Sequence, residues 1–498
     1  MRPRFKLLVL TAGCMLLCAG QVSLQVSAQD IQQIDQPELR GISLGLDKFA
    51  SLNGSKKGLT FEKLLELVNR NYPKLLSADA ERRIASAKRL EKAGSFDPVL
   101  NHISEYLRLQ DTVDAGKAKD AIHNESRLEL LTRSGIKVFA GARLNPNDTK
   151  TPFLPTGKSG EYSAGISVPI FRGFRINEKT ASEQQAKLGE PLAAQIFGAN
   201  RLEVLFKAAA TYWEWVGAKA RYDVSRNLLK IAVDRVDQIK ERVNAGDAPS
   251  LDIAESEQEI HRREASLVKA DRDFQKGSIA LSLFLWTESG PVNVPPLSEV
   301  PGLDFAPKTI TESEQADGKR LALSLRPELK RINYEREQAK VELRLAENLL
   351  LPLTDLFAVQ GADTGPQGIG PVVRGGLNFS WPITGQRTAR GQIEAAKLKI
   401  QKLTLDEKFE KQRIEMEVAD VVSAINTTCD KYNAAVLEVK KAREVEHGER
   451  LRFGVGDSTV FLVNQRERFT AEAELRMVET HVEYLQAISA FKAVTCKL

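Results

Sequence analysis

After Pro382 the chain contains no further proline, and from Gln386 to Phe453 it reads as one uninterrupted helix. At 1.5 Å per residue such a helix spans about 100 Å, far longer than the helices of ordinary globular domains. Polar residues cover most of its faces, so it is stable only where neighbouring helices cover its apolar stripe, as in coiled coils and helical barrels.

The long helix ends in a turn that the chain uses twice. Arg242 to Glu257 reads RVNAGDAPSLDIAESE, and 210 residues later Arg452 to Glu467 reads RFGVGDSTVFLVNQRE, with Gly246 on Gly456 and Asp247 on Asp457. Each glycine suits a left-handed C-cap, and the segments Leu251 to Phe284 and Phe461 to Phe491 then return antiparallel to the helices before them. The duplication reaches further. A shift of 254 places Pro73 on Pro327, Leu75 on Leu329 and Pro98 on Pro352, so each half opens with a helix that a proline ends.

Between the opening helix and the long one, the period of the sequence changes to two. In half two Val373, Leu377, Phe379, Trp381 and Ile383 alternate with Arg374, Gly376, Asn378 and Ser380. In half one Tyr162, Ala164, Ile166, Val168 and Ile170 alternate with Ser163, Gly165 and Ser167. Both are strands with two chemically distinct faces. The segment Arg127 to Leu144 also has strand character and would add a hairpin that half two lacks. Beyond the strands, Leu202, Phe206, Ala209, Trp213, Val216, Ala220, Val224 and Leu228 recur at steps of three or four, one apolar helical stripe. Ser289 to Asp317 is proline-rich and aperiodic, and reads as a connector packed outside the helices.

Composition narrows the function. The 498 residues are 42% hydrophobic and 28% charged, with a formal net charge of +5 and the two signs interleaved, which does not imply nucleic acid. Arg2, Arg4 and Lys6 precede the apolar run Leu7 to Leu17, and Val26-Ser27-Ala28 offers a cleavage site, so residues 1–28 read as a secretory signal peptide. Cys14 and Cys18 leave with it, and Cys429 and Cys496 alone make no disulfide framework or metal cluster. No later stretch has 18 consecutive apolar residues, so any membrane crossing must use strands. His102, His123, His261, His447 and His481 fall in no HExxH spacing, and neither a nucleophile motif nor a phosphate-binding glycine pattern occurs. Neither an enzyme nor a cofactor is implied.

Taken together, LTFEKLLELVNRNYPKL and RPEL at the helix starts, SVPIFRGFR and SWPITGQR at strand ends, and the two turn motifs resemble the TolC-like outer membrane efflux proteins over essentially the whole mature chain. The resemblance implies a mainly α chain with membrane β: a homotrimer whose strands form one outer-membrane β-barrel, continued by a long periplasmic α-helical coiled-coil barrel, with two structural repeats per protomer. The first repeat then spans residues 29–288, with strands at about 98–171 and a hairpin at about 174–286. A connector covers 289–320, and the second repeat covers 321–498, with strands at about 353–383 and a hairpin at about 386–492. Family members use four strands per protomer, from which the strand-like Arg127 to Leu144 departs.

The resemblance also implies functional positions. The pore constricts just beyond the tip glycines, where Asp252 and Glu255 stand in half one and Leu462 and Gln465 in half two; because family members often carry acids at the last two places, the acidic ring is reduced here. The hairpin tips, Gly246, Asp247 and Ala248 with Gly456, Asp457 and Ser458, would meet a periplasmic adaptor that links the duct to an inner-membrane transporter. A bland role for Asp247 and Asp457 is local backbone bonding in the turn. Trp213, Trp215 and Trp286 read as helix-packing residues and Trp381 as a lipid-interface residue. An exit duct of a tripartite efflux pump or type I secretion system explains both helices and strands. The alternative, a periplasmic coiled-coil adaptor or scaffold, would have no use for SAGISVPIF or GGLNFSWPI.

Overall fold

The computed structural model describes residues 58–110, 118–145, 156–292, 295–303, 305–365 and 368–498. The expected signal peptide and its cleavage site lie outside these residues. Residues 55–498 form one unit.

Each half opens with two helices, not one. In half one α1 (Phe61–Asn71) and α2 (Pro73–Ala93) part at Tyr72, whose ψ of 121° is extended. Pro73 clashes with a helical residue before it, yet suits the first position of the helix that follows, where an N–H has no partner to lose. Four strands come next: β1 (Val99–Gln110), β2 (Ala118–Leu131), β3 (Lys137–Leu144) and β4 (Glu161–Pro169). The 67-residue α3 (Glu178–Asn244) descends to the first tip, and α4 (Leu251–Ser282) returns.

The connector holds a small ladder of β5 (Trp286–Thr287) with β6 (Gly290–Pro291), then α5 (Glu312–Leu325), which begins inside the stretch read as aperiodic. Its start is a capping box, Thr311 accepting from the Glu314 N–H while the Glu314 carboxylate accepts from the Thr311 N–H. In half two, α6 (Pro327–Asn348) is followed by the hairpin β7 (Leu353–Gly365) and β8 (Gly368–Ser380). The 68-residue α7 (Arg387–Gly454) and α8 (Val460–Val494) then repeat the descent and return.

The long helices α3 and α7 pack against α4 and α8 along their lower parts and against α2 and α6 above. Where these partners change over, a core gathers around Tyr212 and Trp215, both about 1% exposed or less, with Phe61 stacked on Trp213 at 5.1 Å. The tryptophans are anchored at both ends: Trp215 Nε1 donates to Ser278 and Trp213 Nε1 to Ser489. The connector is strapped to half two by Asn426, which bonds the Ile310 backbone, and by Tyr484, whose hydroxyl bonds the Lys308 backbone.

All six long strands form one antiparallel sheet in the order β1-β2-β3-β4-β7-β8. Half one contributes four strands and half two only two. The strand-like Arg127 to Leu144 is the end of β2, a turn, and β3, registered as Leu128 on Ala140 and Leu131 on Lys137.

Candidate functional site: a two-faced sheet and a pair of bonded tips

Register carries the alternation of each strand across the whole sheet. Val138, Ile166, Ala358 and Gly375 lie in one cross-strand row, and Ala140, Ala164, Gln360 and Val373 in another, all on one face. From β3 to β8 that face is apolar and uncovered: Val373 is 78% exposed, Ile369 77%, and Leu356, Leu377, Phe379 and Trp381 are all exposed, whereas on β1 and β2 the same face carries His102, Ser104, Arg108, Asp120, Asn124 and Ser126. An open apolar surface of this extent marks a face that meets lipid or protein, not water. The opposite face is polar, with Glu125, Arg127, Arg143, Glu161, Asp363 and Arg374 among its side chains. There Glu161 is buried between Arg143 and Arg374.

At the other end of the long helices, both tips close in the same way. Gly246 has φ of +81° and Gly456 of +82°. The N–H of Asp247 donates to the Arg242 carbonyl and that of Gly246 to Val243; the N–H of Asp457 donates to Arg452 and that of Gly456 to Phe453. These are paired Schellman closures, in which a residue without a Cβ takes the left-handed conformation. Gly246, Asp247, Gly456 and Asp457 are exposed, while Ala248 and Ser458 are half-buried. Asp457 does more than bond backbone, since its carboxylate accepts from Arg452 Nε at 3.1 Å. Arg242 instead crosses to the other tip, 4.8 Å over the Phe453 ring with a bond to its carbonyl.

The four expected constriction residues form two pairs. Asp252 and Glu255 are one turn apart in the first turns of α4, and Leu462 and Gln465 one turn apart in those of α8; all four are half-buried. Asp252 is not the N-cap of α4, a place that Ser250 takes. Burial, together with the Asp252 carboxylate, raises the Glu255 carboxyl above the ordinary glutamate range.

What joins the two hairpins was missed in the sequence. Glu467 on α8, 1% exposed, receives Arg235 from α3, Arg263 from α4 at 2.9 Å and Arg450 from α7 at 2.9 Å. Arg235 also donates to Asn464, and Arg263 to Glu259 and to the Leu228 carbonyl. Burial, with the crowding of like charges, draws Arg235 down to about 9 and Arg263 to about 10, so both stay cationic at neutral pH. The readable signal was that Glu467 occupies a buried-face position, three or four residues from Val463, Thr470 and Ala471.

The chain thus joins a six-stranded sheet to two helices of about 100 Å, each paired with a shorter returning helix. Among solved structures, the Campylobacter jejuni CmeC outer membrane channel superimposes with a TM-score of 0.61 at 14% identity, covering 93% of each chain. CusC gives 0.65 at 13%, over 89% of this chain and 95% of that one. The open-state Neisseria gonorrhoeae MtrE outer membrane channel gives 0.63 at 16%, over 88% and 89%. No curated protein sequence matches the chain. Residues 135–285 match the sequence model of the family described as outer membrane efflux protein. The sequence match is confined to that segment, and the likeness to the solved channels, at 13 to 16% identity, is one of fold.

Proposed function

We propose that the protein is the outer-membrane efflux channel of a tripartite assembly, passing substrate passively from periplasm to exterior. The observation that carries this reading is the sheet: from β3 to β8 one face is uncovered and apolar and the other charged, as a barrel wall between lipid and water requires. A periplasmic scaffold would account for the helices but would leave that apolar face in water.

In finer terms, three copies close the barrel, since the sheet of one protomer has two open edges that lipid does not tolerate. The bonded tips form the periplasmic mouth. Exposed Gly246, Asp247, Gly456 and Asp457, with Ala248 and Ser458, are the surface offered to an adaptor, itself engaged by an inner-membrane transporter. At the mouth a threefold ring of Asp252, supported by Glu255, favours cations, and Leu462 with Gln465 forms a less charged ring beside it.

Planar-bilayer conductance tests this arrangement. Asp252→Asn should lower cation preference, and Leu462→Ser should raise conductance by loosening the closed mouth. If both variants conduct like the parent at several salt concentrations, the constriction lies elsewhere. Recovery of the protein in the soluble periplasmic fraction would favour the scaffold.

A further inference from the structure

From the six-stranded sheet we infer that β1 of one copy pairs with β8 of a second copy, so that the closed barrel has eighteen strands. The inference rests on the channel reading above. Among the described residues, β1 pairs with β2 alone and β8 with β7 alone, which leaves one edge of each strand open. The two edges fit each other. Strand direction alternates through all six strands, so β1 and β8 run antiparallel, and a neighbour's β8 continues the alternation around a ring. Their lengths are also matched, 12 and 13 residues.

The competing arrangement peels β1 and β2 away and closes the ring through β3 with twelve strands, four per protomer. Two features oppose it. First, β2 is laddered to β3 along eight residue pairs. Second, the turn between them is seated on the helices. Arg133 forks onto Glu183 of α3 with bonds of 2.9 to 3.1 Å, and its guanidinium lies 5.0 Å over Phe96 at the end of α2. The Arg133 carbonyl accepts from the Thr180 hydroxyl and that of Ser134 from the Arg175 N–H. Gly135, at φ of +90°, approaches Gly173 so closely that a Cβ there would stand 2.3 Å from the Gly173 oxygen. A hairpin docked in this way is held between α2 and α3.

Outward positions of the first hairpin also include polar side chains, which in a membrane must be bonded to each other. Several are: His102 Nδ1 is 2.8 Å from Ser126 Oγ, Ser104 donates to Asn124 at 2.6 Å, the Tyr106 hydroxyl donates to Asp120 at 2.8 Å, and Arg108 Nε lies 3.7 Å from the Asp120 carboxylate. Barrel diameter grows roughly in proportion to strand number, so eighteen strands give a lumen about half again as wide as twelve.

Cysteine pairs distinguish the two closures in a background lacking Cys429 and Cys496. Ser104→Cys on β1, combined in turn with Ile369→Cys, Val373→Cys and Leu377→Cys on β8, should yield a disulfide-linked trimer on a non-reducing gel for at least one pair. Ala140→Cys on β3 with the same β8 set should yield none, and crosslinking through Ala140 overturns the inference. Electron microscopy of the unmodified trimer in nanodiscs is the second measure: eighteen strands are expected, and a trimer with twelve overturns the inference while leaving the channel reading intact. A monomeric or membrane-free protein would overturn the channel reading itself.

Discussion

Glu467 is the residue on which both hairpins depend, because three arginines from three other helices converge on its one carboxylate. Removing its charge leaves Arg235 buried without its carboxylate partner, while Arg263 keeps only Glu259, a change that costs about 3–5 kcal/mol where a buried pair is broken. Glu467→Gln should therefore lower the denaturant midpoint of the solubilised protein markedly, and a midpoint within error of the parent would show the arginines find other partners. Glu255 responds differently. Its raised pKa means the folded protein binds this proton more tightly than the unfolded chain, so its contribution to stability is present at low pH and lost as pH rises through the folded value. On the channel reading proposed above, the same step would make the mouth more acidic. Cation preference should increase with pH across a range above that of an ordinary glutamate, and Asp252→Asn should move the midpoint of that increase down; an unchanged midpoint would separate Glu255 from Asp252.

At the scale of the element, the tips isolate a backbone effect from packing. Among the described residues, no atom lies within 4 Å of a Cβ added at Gly246 or Gly456, so an alanine meets open space and costs only the left-handed conformation, about 1 kcal/mol. Gly246→Ala and Gly456→Ala should each destabilise by that similar amount in equilibrium unfolding. A clearly larger loss at one tip would mean that the turn is packed against another copy. These turns were legible in the sequence because glycine carries its own conformational signal. The two-helix openings were less so: Pro73 and Pro327 fix a break at the residue before them, yet one continuous apolar pattern spans it. The start of α5 was also readable, since Thr311 and Glu314 are a capping box, but the prolines before it masked the signal.

For the whole molecule, closure is the governing requirement. A sheet with two open edges in lipid leaves backbone groups unbonded at several kcal/mol each, so the solubilised protein should have a mass near three chains. A stable monomer with full barrel structure would contradict this.

The sequence by itself determined the periods: helix where apolar residues recur at three and four, strand where they alternate, turn where Gly246 and Gly456 interrupt. Those patterns are local, and local stereochemistry reads them directly. It also marked the segment at Arg127 to Leu144 as strand-like. Only the tertiary structure decided that this hairpin joins the strands of both halves in one six-stranded sheet, and that Arg235, Arg263, Arg450 and Glu467 meet. Pairing of that kind joins residues up to 232 positions apart in the chain, and no local preference specifies which distant arginine reaches which carboxylate; the helix register does.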